Sequence, residues 1–297
     1  MKPPNSRKSW SGIAALLSLL CLSTAMAQET APPPPQETAP PPSRAREDNE
    51  NLRLFQQFFT DAAITSQWWE GQLRVPRGAV PPVEKADGVL LTGVMAVSPA
   101  KNVEVGGRIS YVDYDLDHGI FRPGDTKKFT GESGASDLDV FGKYRVINGP
   151  MQLAFGGSLT FPTGSEDEGL GNGKLVPAVF GAVRGDLAGG PAGNLIGVGH
   201  LGFRFNRNTN ILGFPLEGKT SVFLGAGIIG KWQEDLHWSG EITIESDRYT
   251  GADSDVRLTA GLQWNPARHH LLRGAAAVGL ADAAPDFELF LAYAYTF

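Results

Sequence analysis

Three short stretches hold the residue types from which chemistry is usually built. His237-Trp238-Ser239-Gly240 sets an imidazole and a hydroxyl two residues apart. On a strand both would share a face, where histidine is able to activate serine as a nucleophile. Asp113-Tyr114-Asp115-Leu116-Asp117-His118-Gly119 spaces its carboxylates like the start of a calcium loop. An EF-hand needs its glycine one position earlier, and a glutamate where Gly124 stands. A solvated acidic rim that meets divalent ions or lipopolysaccharide is the alternative. His269 and His270, next to Arg268, point to opposite faces of a strand and do not chelate one metal, so a polar turn is expected there. No cofactor, no metal and no catalytic residue is expected.

A larger ionisable set emerges from periodicity. From about residue 66 onward, apolar and polar residues alternate. In Val256-Arg257-Leu258-Thr259-Ala260-Gly261-Leu262-Gln263-Trp264 the even positions are apolar and the odd ones polar or glycine. The stretches from Trp238, Leu138 and Met151 repeat the pattern. One face then gathers Glu104, Arg108, Asp137, Asp139, Lys143, Arg145, Arg184, Asp186, Arg204, Lys231, Glu241, Glu245, Asp247, Arg257 and Arg273. Charges of both signs on one narrow interior either pair across strands or line water.

The elements that must carry this set are long strands. The alternating segments run roughly 10–13 residues, enough for a tilted strand to cross a bilayer and twice the globular average. Twelve are expected, near 66–76, 88–98, 102–114, 136–147, 151–162, 175–186, 194–206, 218–232, 236–249, 254–265, 269–280 and 286–297. Short links alternate with the longer links 115–135, 163–174 and 207–217, as in barrels with short periplasmic turns and long external loops. Trp232, Trp238, Tyr249, Trp264, Tyr293 and Tyr295 sit near segment ends, as interfacial aromatics do. The 37 glycines lie largely inside the strands. The expected fold is all-β, an antiparallel transmembrane barrel of about 12 strands over residues 61–297.

The first part of the chain reads differently. Lys2, Arg7 and Lys8 precede an apolar run from Ile13 to Leu22 and the small-x-small pattern Ala25-Met26-Ala27, so residues 1–27 are expected to be a cleaved signal peptide. Cys21 is the only cysteine and lies within it, so the mature chain has neither disulfides nor thiol chemistry. Residues 28–60 are expected to comprise a Pro-rich disordered linker, with a short repeat over 28–43, and a candidate short amphipathic helix over 47–59. The chain carries 26 Lys+Arg, three of them in the signal, against 32 Asp+Glu, a balance that argues against nucleic acid as a partner.

The last strand is the most specific single feature. Phe287, Leu289, Leu291, Tyr293, Tyr295 and Phe297 share one face and end the sequence given. Tyr293, Tyr295 and Phe297 resemble the C-terminal signal read by the outer-membrane barrel assembly machinery, which implies that machinery as a partner. The outer-membrane lipids and lipopolysaccharide follow as surroundings.

Several stretches in order resemble the MetA-pathway phenol-degradation family of transporter-like outer-membrane proteins. They are Thr60-Asp61-Ala62 before Trp69-Glu70-Gly71-Gln72-Leu73; Val97-Ser98-Pro99-Ala100-Lys101-Asn102-Val103-Glu104-Val105-Gly106; and Gly157-Ser158-Leu159-Thr160-Phe161-Pro162-Thr163-Gly164-Ser165 followed by Gly171 to Lys174. The resemblance spans residues 60–297 and implies passage of small, aromatic or hydrophobic solutes across the bacterial outer membrane. His237 and Ser239 resemble, more weakly, the His-x-Ser of outer-membrane phospholipases, but Gly240 stands where that motif has asparagine. Three readings thus stay open: a channel- or transporter-like, porin-like barrel; a structural or sensing barrel with a closed lumen; and a lipid-modifying enzyme.

Overall fold

The computed structural model describes residues 86–100, 102–147, 151–187, 195–233, 235–267, 270–281, 284 and 286–295. The signal, the linker, the helix over 47–59 and the strand at 66–76 lie outside them. Among the described residues fourteen strands are present: β1 Ala86–Ala100, β2 Val103–Ile120, β3 Phe129–Ala135, β4 Leu138–Ile147, β5 Met151–Phe161, β6 Val176–Leu187, β7 Leu195–Phe205, β8 Thr209–Ile211, β9 Phe214–Leu216, β10 Thr220–Lys231, β11 Leu236–Glu245, β12 Asp255–Ala267, β13 His270–Gly279 and β14 Phe287–Tyr295. No described helix is long and apolar enough to cross a membrane.

One meander orders the sheet as β1-β2-β4-β5-β6-β7-β10-β11-β12-β13-β14, every neighbour antiparallel. Among the described residues β1 pairs only on its β2 side and β14 only on its β13 side, so the hydrogen-bonded ladder has two edges. Because the path holds an odd number of antiparallel strands, β1 and β14 run in the same direction.

Alternation produces an inverted protein. The outward positions are apolar and exposed, from Met95 at 73% to Leu291 at 91%. Water-soluble monomers do not spread so much apolar surface along every strand, whereas a lipid-facing wall requires it. The inward positions hold Glu104, Arg108, Lys143, Arg145, Glu245 and Arg257, all buried. At the short-turn end, Trp264 donates from Nε1 to Asp235 Oδ2 (2.9 Å), while His270 packs between Tyr293 and Tyr295 with Nδ1 2.9 Å from the Tyr293 hydroxyl. These are the aromatics of one membrane interface.

The strand glycines follow a packing rule. Phe141 lies over Gly106, Phe180 over Gly156, Phe223 over Gly202 and His200 over Gly225, each ring covering the glycine directly opposite it on the adjacent strand. A methyl at any of these glycines would run into the ring. Cross-strand pairs of this kind let bulky rings lie flat against a curved wall.

The long links differ from expectation. Residues 115–135 are not one loop: β2 runs on to Ile120 and returns as β3, which pairs with its outer part. Asp113 and Asp115 therefore stand on an exposed strand face and not in a calcium loop. Residues 207–217 contain the hairpin β8–β9, turned at Leu212 (φ 54°) and Gly213 (φ 80°), both left-handed as a two-residue hairpin turn demands. Tyr249 is not at the interface. It follows the end of β11, is 2% exposed, and packs inward among loop residues.

A charge in the middle of the outer wall tests the orientation of this sheet. Leu201→Arg, near the centre of β7, is expected to cost roughly 2–4 kcal/mol of unfolding free energy in phospholipid bilayers, and Val146→Arg, at the end of β4, roughly 0–1. Equal costs at the two depths, measured by denaturant titration, would show that this face does not meet lipid.

Candidate functional site

The inner face carries two layers with different chemistry. The first is a set of ion pairs strung across neighbouring strands. Arg108 Nη2 on β2 meets Asp139 Oδ2 on β4 at 2.5 Å, and Thr160 on β5 donates to Asp139 Oδ1 at 3.0 Å. Lys143 faces Glu104 at 3.8 Å. Glu245 on β11 collects Arg204 from β7 (3.2 Å), Arg248 (2.8 Å) and the Ser221 hydroxyl (2.9 Å). Arg257 on β12 binds Asp255 at 2.6 Å and reaches across β13 to Glu288 on β14 at 2.7 Å. Burying one such charge without its partner costs several kcal/mol, so these groups hold the wall together only as a set.

A cavity on this face is lined by Arg108, Asp139, Ser158, Thr160, Val176, Ala178, Phe180, Arg204 and Phe223. Its walls join three charged side chains and two hydroxyls to four apolar ones. Ala178, Phe180 and Phe223 form one buried cluster, and the Arg204 guanidinium lies 5.6 Å from the centre of the Phe223 ring.

The second layer is an apolar cap at the long-loop end. The inward residues Val112, Tyr114, Leu116 and Ile120 of β2 pack with Leu170, Ile211, Leu212, Phe214, Leu216 and Tyr249. Residues from β2, the β5–β6 loop, the β8–β9 hairpin and the stretch after β11 thus meet over the inner face. The loop after β5 is held down by Asp137. Its Oδ1 accepts the Gly164 N–H (3.0 Å), and its Oδ2 accepts both the backbone N–H (2.7 Å) and the side-chain amide (3.1 Å) of Asn172. Burial raises the pKa of this carboxyl, and the N–H donors from Asn172 and Gly164 oppose the rise. Thr209 donates to the Asn172 carbonyl (2.5 Å), Tyr249 to its side-chain oxygen (3.3 Å), and Tyr114 to the Glu168 carbonyl (2.7 Å). The Pro-Thr-Gly stretch is thereby explained: Thr163 donates to the Ser136 carbonyl (3.0 Å) and accepts the Leu138 N–H (2.8 Å).

The expected inner residues fall as follows. Glu104, Arg108, Asp137, Asp139, Lys143, Arg145, Arg204, Glu241, Glu245 and Arg257 are buried, whereas Arg184, Lys231 and Arg273 are half-buried. Asp186 lies near the end of β6 with its side chain outside the description. Arg145 reaches the β1–β2 turn, with Nη2 2.9 Å from the side-chain oxygen of Asn102, whose φ is 66°. Asp247 departs from the set: β11 ends at Glu245, and Asp247 pairs at the rim with Lys219. Asp255, Glu288 and Arg248 complete the pairs but did not stand out in the alternation. Tyr293 and Tyr295 are exposed on the outer face, and Phe297 lies outside the described residues. His237 and Ser239 share the inner face of β11, yet no hydrogen bond joins them, and His237 Nδ1 meets no hydrogen-bonding partner among the described residues. A triad needs that nitrogen oriented by a third group. No cluster of three metal-ligating side chains occurs among the described residues.

Two substitutions probe the two layers. Asp137→Ala strands the Gly164 and Asn172 N–H groups, at roughly 1–3 kcal/mol each, and is expected to expose residues 163–174 to limited proteolysis; unchanged resistance would show that the cap holds without this carboxylate. Arg257→Ala leaves Asp255 and Glu288 uncompensated and should cost about 3–5 kcal/mol, part of it recovered when both acids are made amides. Denaturant titration in detergent reads both values.

No protein-family model matches the chain, and no curated protein matches it. Among solved structures it is similar to the COG4313 outer membrane channel from Pseudomonas putida F1, at 16% identity over 71% of this chain and 84% of that chain, with a TM-score of 0.51. At that identity the likeness speaks for the fold: the chain is an all-β, antiparallel barrel of the kind that spans outer membranes.

Proposed function

We propose that this chain is a channel-like barrel of the bacterial outer membrane that passes small molecules along its charged inner face. The observation that carries the reading is the inversion of the sheet, with apolar side chains outside and paired charges inside. The named outer-membrane channel of similar fold supports the reading, as does the resemblance to the MetA-pathway family. In this reading residues 61–297 form the barrel. The solute has an aromatic or hydrophobic body, matched to Phe180, Phe223, Val176 and Ala178.

A second reading, a closed structural or sensing barrel, is favoured by the apolar cap over the inner face. Planar-bilayer recording of residues 28–297 separates the two. Steady single-channel currents are expected, larger when a short Gly-Ser link replaces residues 208–217 and the Ile211, Leu212 and Phe214 side chains leave the cap. Silence in both proteins, each shown to be folded by heat-modifiable migration, would reject the channel and leave the closed barrel. Currents that rise only on deletion of residues 28–60 would assign the block to the leader.

A further inference from the structure

Glu241 differs from every other buried carboxylate among the described residues. Glu104, Asp139, Glu245 and Asp255 each face a cation within ion-pair distance, and Asp137 is saturated by N–H donors. Glu241, at the middle of β11, is 5% exposed, and among the described residues no hydrogen bond or ion pair within 4 Å reaches it. The charge that acts on it electrostatically is that of Arg273, on β13. The register partner of Arg273 is Gln263, which lies beyond Thr259 and Gly261 along β12.

The surroundings of Glu241 are asymmetric. Its register partner on β10 is Gly227, and the next residue across, on β7, is Val198. Nothing but a glycine thus separates the carboxylate from Val198. That valine belongs to a buried apolar cluster with Ala154 and Ile229, to which Ala182 and Ile196 add their surfaces. On the other side stands Thr259, and along β11 the hydroxyls of Ser239 and Thr243 flank it. A lone buried anion is costly unless a positive charge arrives or a proton neutralises it. A bare inorganic cation would seek oxygen on all sides, yet toward β7 the first side chain is Val198, and the next group across, on β6, is the cationic Arg184. An ammonium group on an apolar body meets both halves at once: the charge on Glu241 and the hydroxyls, the body against Val198 and Ile229.

We propose that Glu241 and the Val198–Ile229 patch form a binding site for small apolar ammonium ions on the inner wall. The proposal rests on the inner face being the lumen of a channel, and it narrows the solute class to amphipathic amines. Gly227, the register partner of both Glu241 and Val198, puts no side chain between the two halves of the site.

Equilibrium binding to the folded protein in detergent tests the site independently of conduction. The probes are benzylamine, protonated at pH 7, with benzyl alcohol and benzoate as the neutral and anionic analogues. Saturable binding of benzylamine above both analogues is expected. It should fall by about tenfold or more in Glu241→Gln, since one charge-assisted contact is lost, and largely return in Glu241→Asp. Gly227→Val should weaken it with the carboxylate intact. Heat-modifiable migration checks that each variant is folded. Equal binding of amine and alcohol, or unchanged binding in Glu241→Gln, would overturn the proposal. Amine binding in a protein that carries no current would keep the site while removing the channel.

Discussion

A strand surrounded by lipid has no water to satisfy its N–H and C=O groups, so each must be paired by a neighbouring strand. That constraint fixes nearly everything else about this molecule. It demands a continuous antiparallel meander, strands long enough to cross the hydrocarbon, and no edge left facing lipid. It also turns the usual solvation pattern inside out, because the surface a soluble protein hides is here the surface that meets the surroundings. With the apolar residues spent on the outer wall, the interior must be built from what remains, which is charge, hydroxyl and glycine.

An interior of charges is stable only when the charges are arranged. Neighbouring inward positions on adjacent strands lie close enough for direct pairing, and register does the arranging. Arg108 and Asp139 are register partners, and so are Glu104 and Lys143. Arg257 uses its length to join β12 to β14 past the small residues of β13. The glycines serve the same economy of space: where an aromatic ring must lie inward, its opposite number is glycine, and the ring folds onto the wall instead of blocking the bore. Ion pairs and ring–glycine pairs are thus two solutions to one problem, filling a curved polar interior.

Much of this was legible in the residues. Wherever one face was polar and the other apolar, as from Val256 to Trp264 or along β14, the period of two fixed strand, face and inner residues together. The signal failed where the inward face itself became apolar. In Ile109-Ser110-Tyr111-Val112 and onward to Leu116 the outward residues still face the surroundings, but the inward ones meet loops rather than ions. Alternation has no way to distinguish a lid from a wall. The same ambiguity misplaced Tyr249, an aromatic near a strand end that turned inward to donate to Asn172. The β8–β9 turn escaped notice because Leu212, not asparagine, takes the left-handed position; burial of its side chain in the cap holds it there. Asp247 was drawn into the inner set by carrying the strand on to residue 249, four residues past the end of β11.

The cap shows why loops of such a barrel fold at all. A long external loop would ordinarily stay in water, yet residues 163–174 carry their own donors into an apolar place. They are tolerated because a single carboxylate, Asp137, receives three of those donors, and Asn172 then offers its carbonyl and side-chain oxygen to Thr209 and Tyr249. Polar contacts therefore set the position of the loop, and the apolar cluster of Leu170, Leu212 and Tyr249 supplies the burial. The division of labour along the axis follows from the same logic. Ion pairs resist displacement because each partner depends on the other, so the wall beneath is rigid. The apolar lid is joined to that wall through a few hydrogen bonds at one carboxylate, so lifting it would strip Asp137 of its N–H donors while leaving the ion pairs beneath intact.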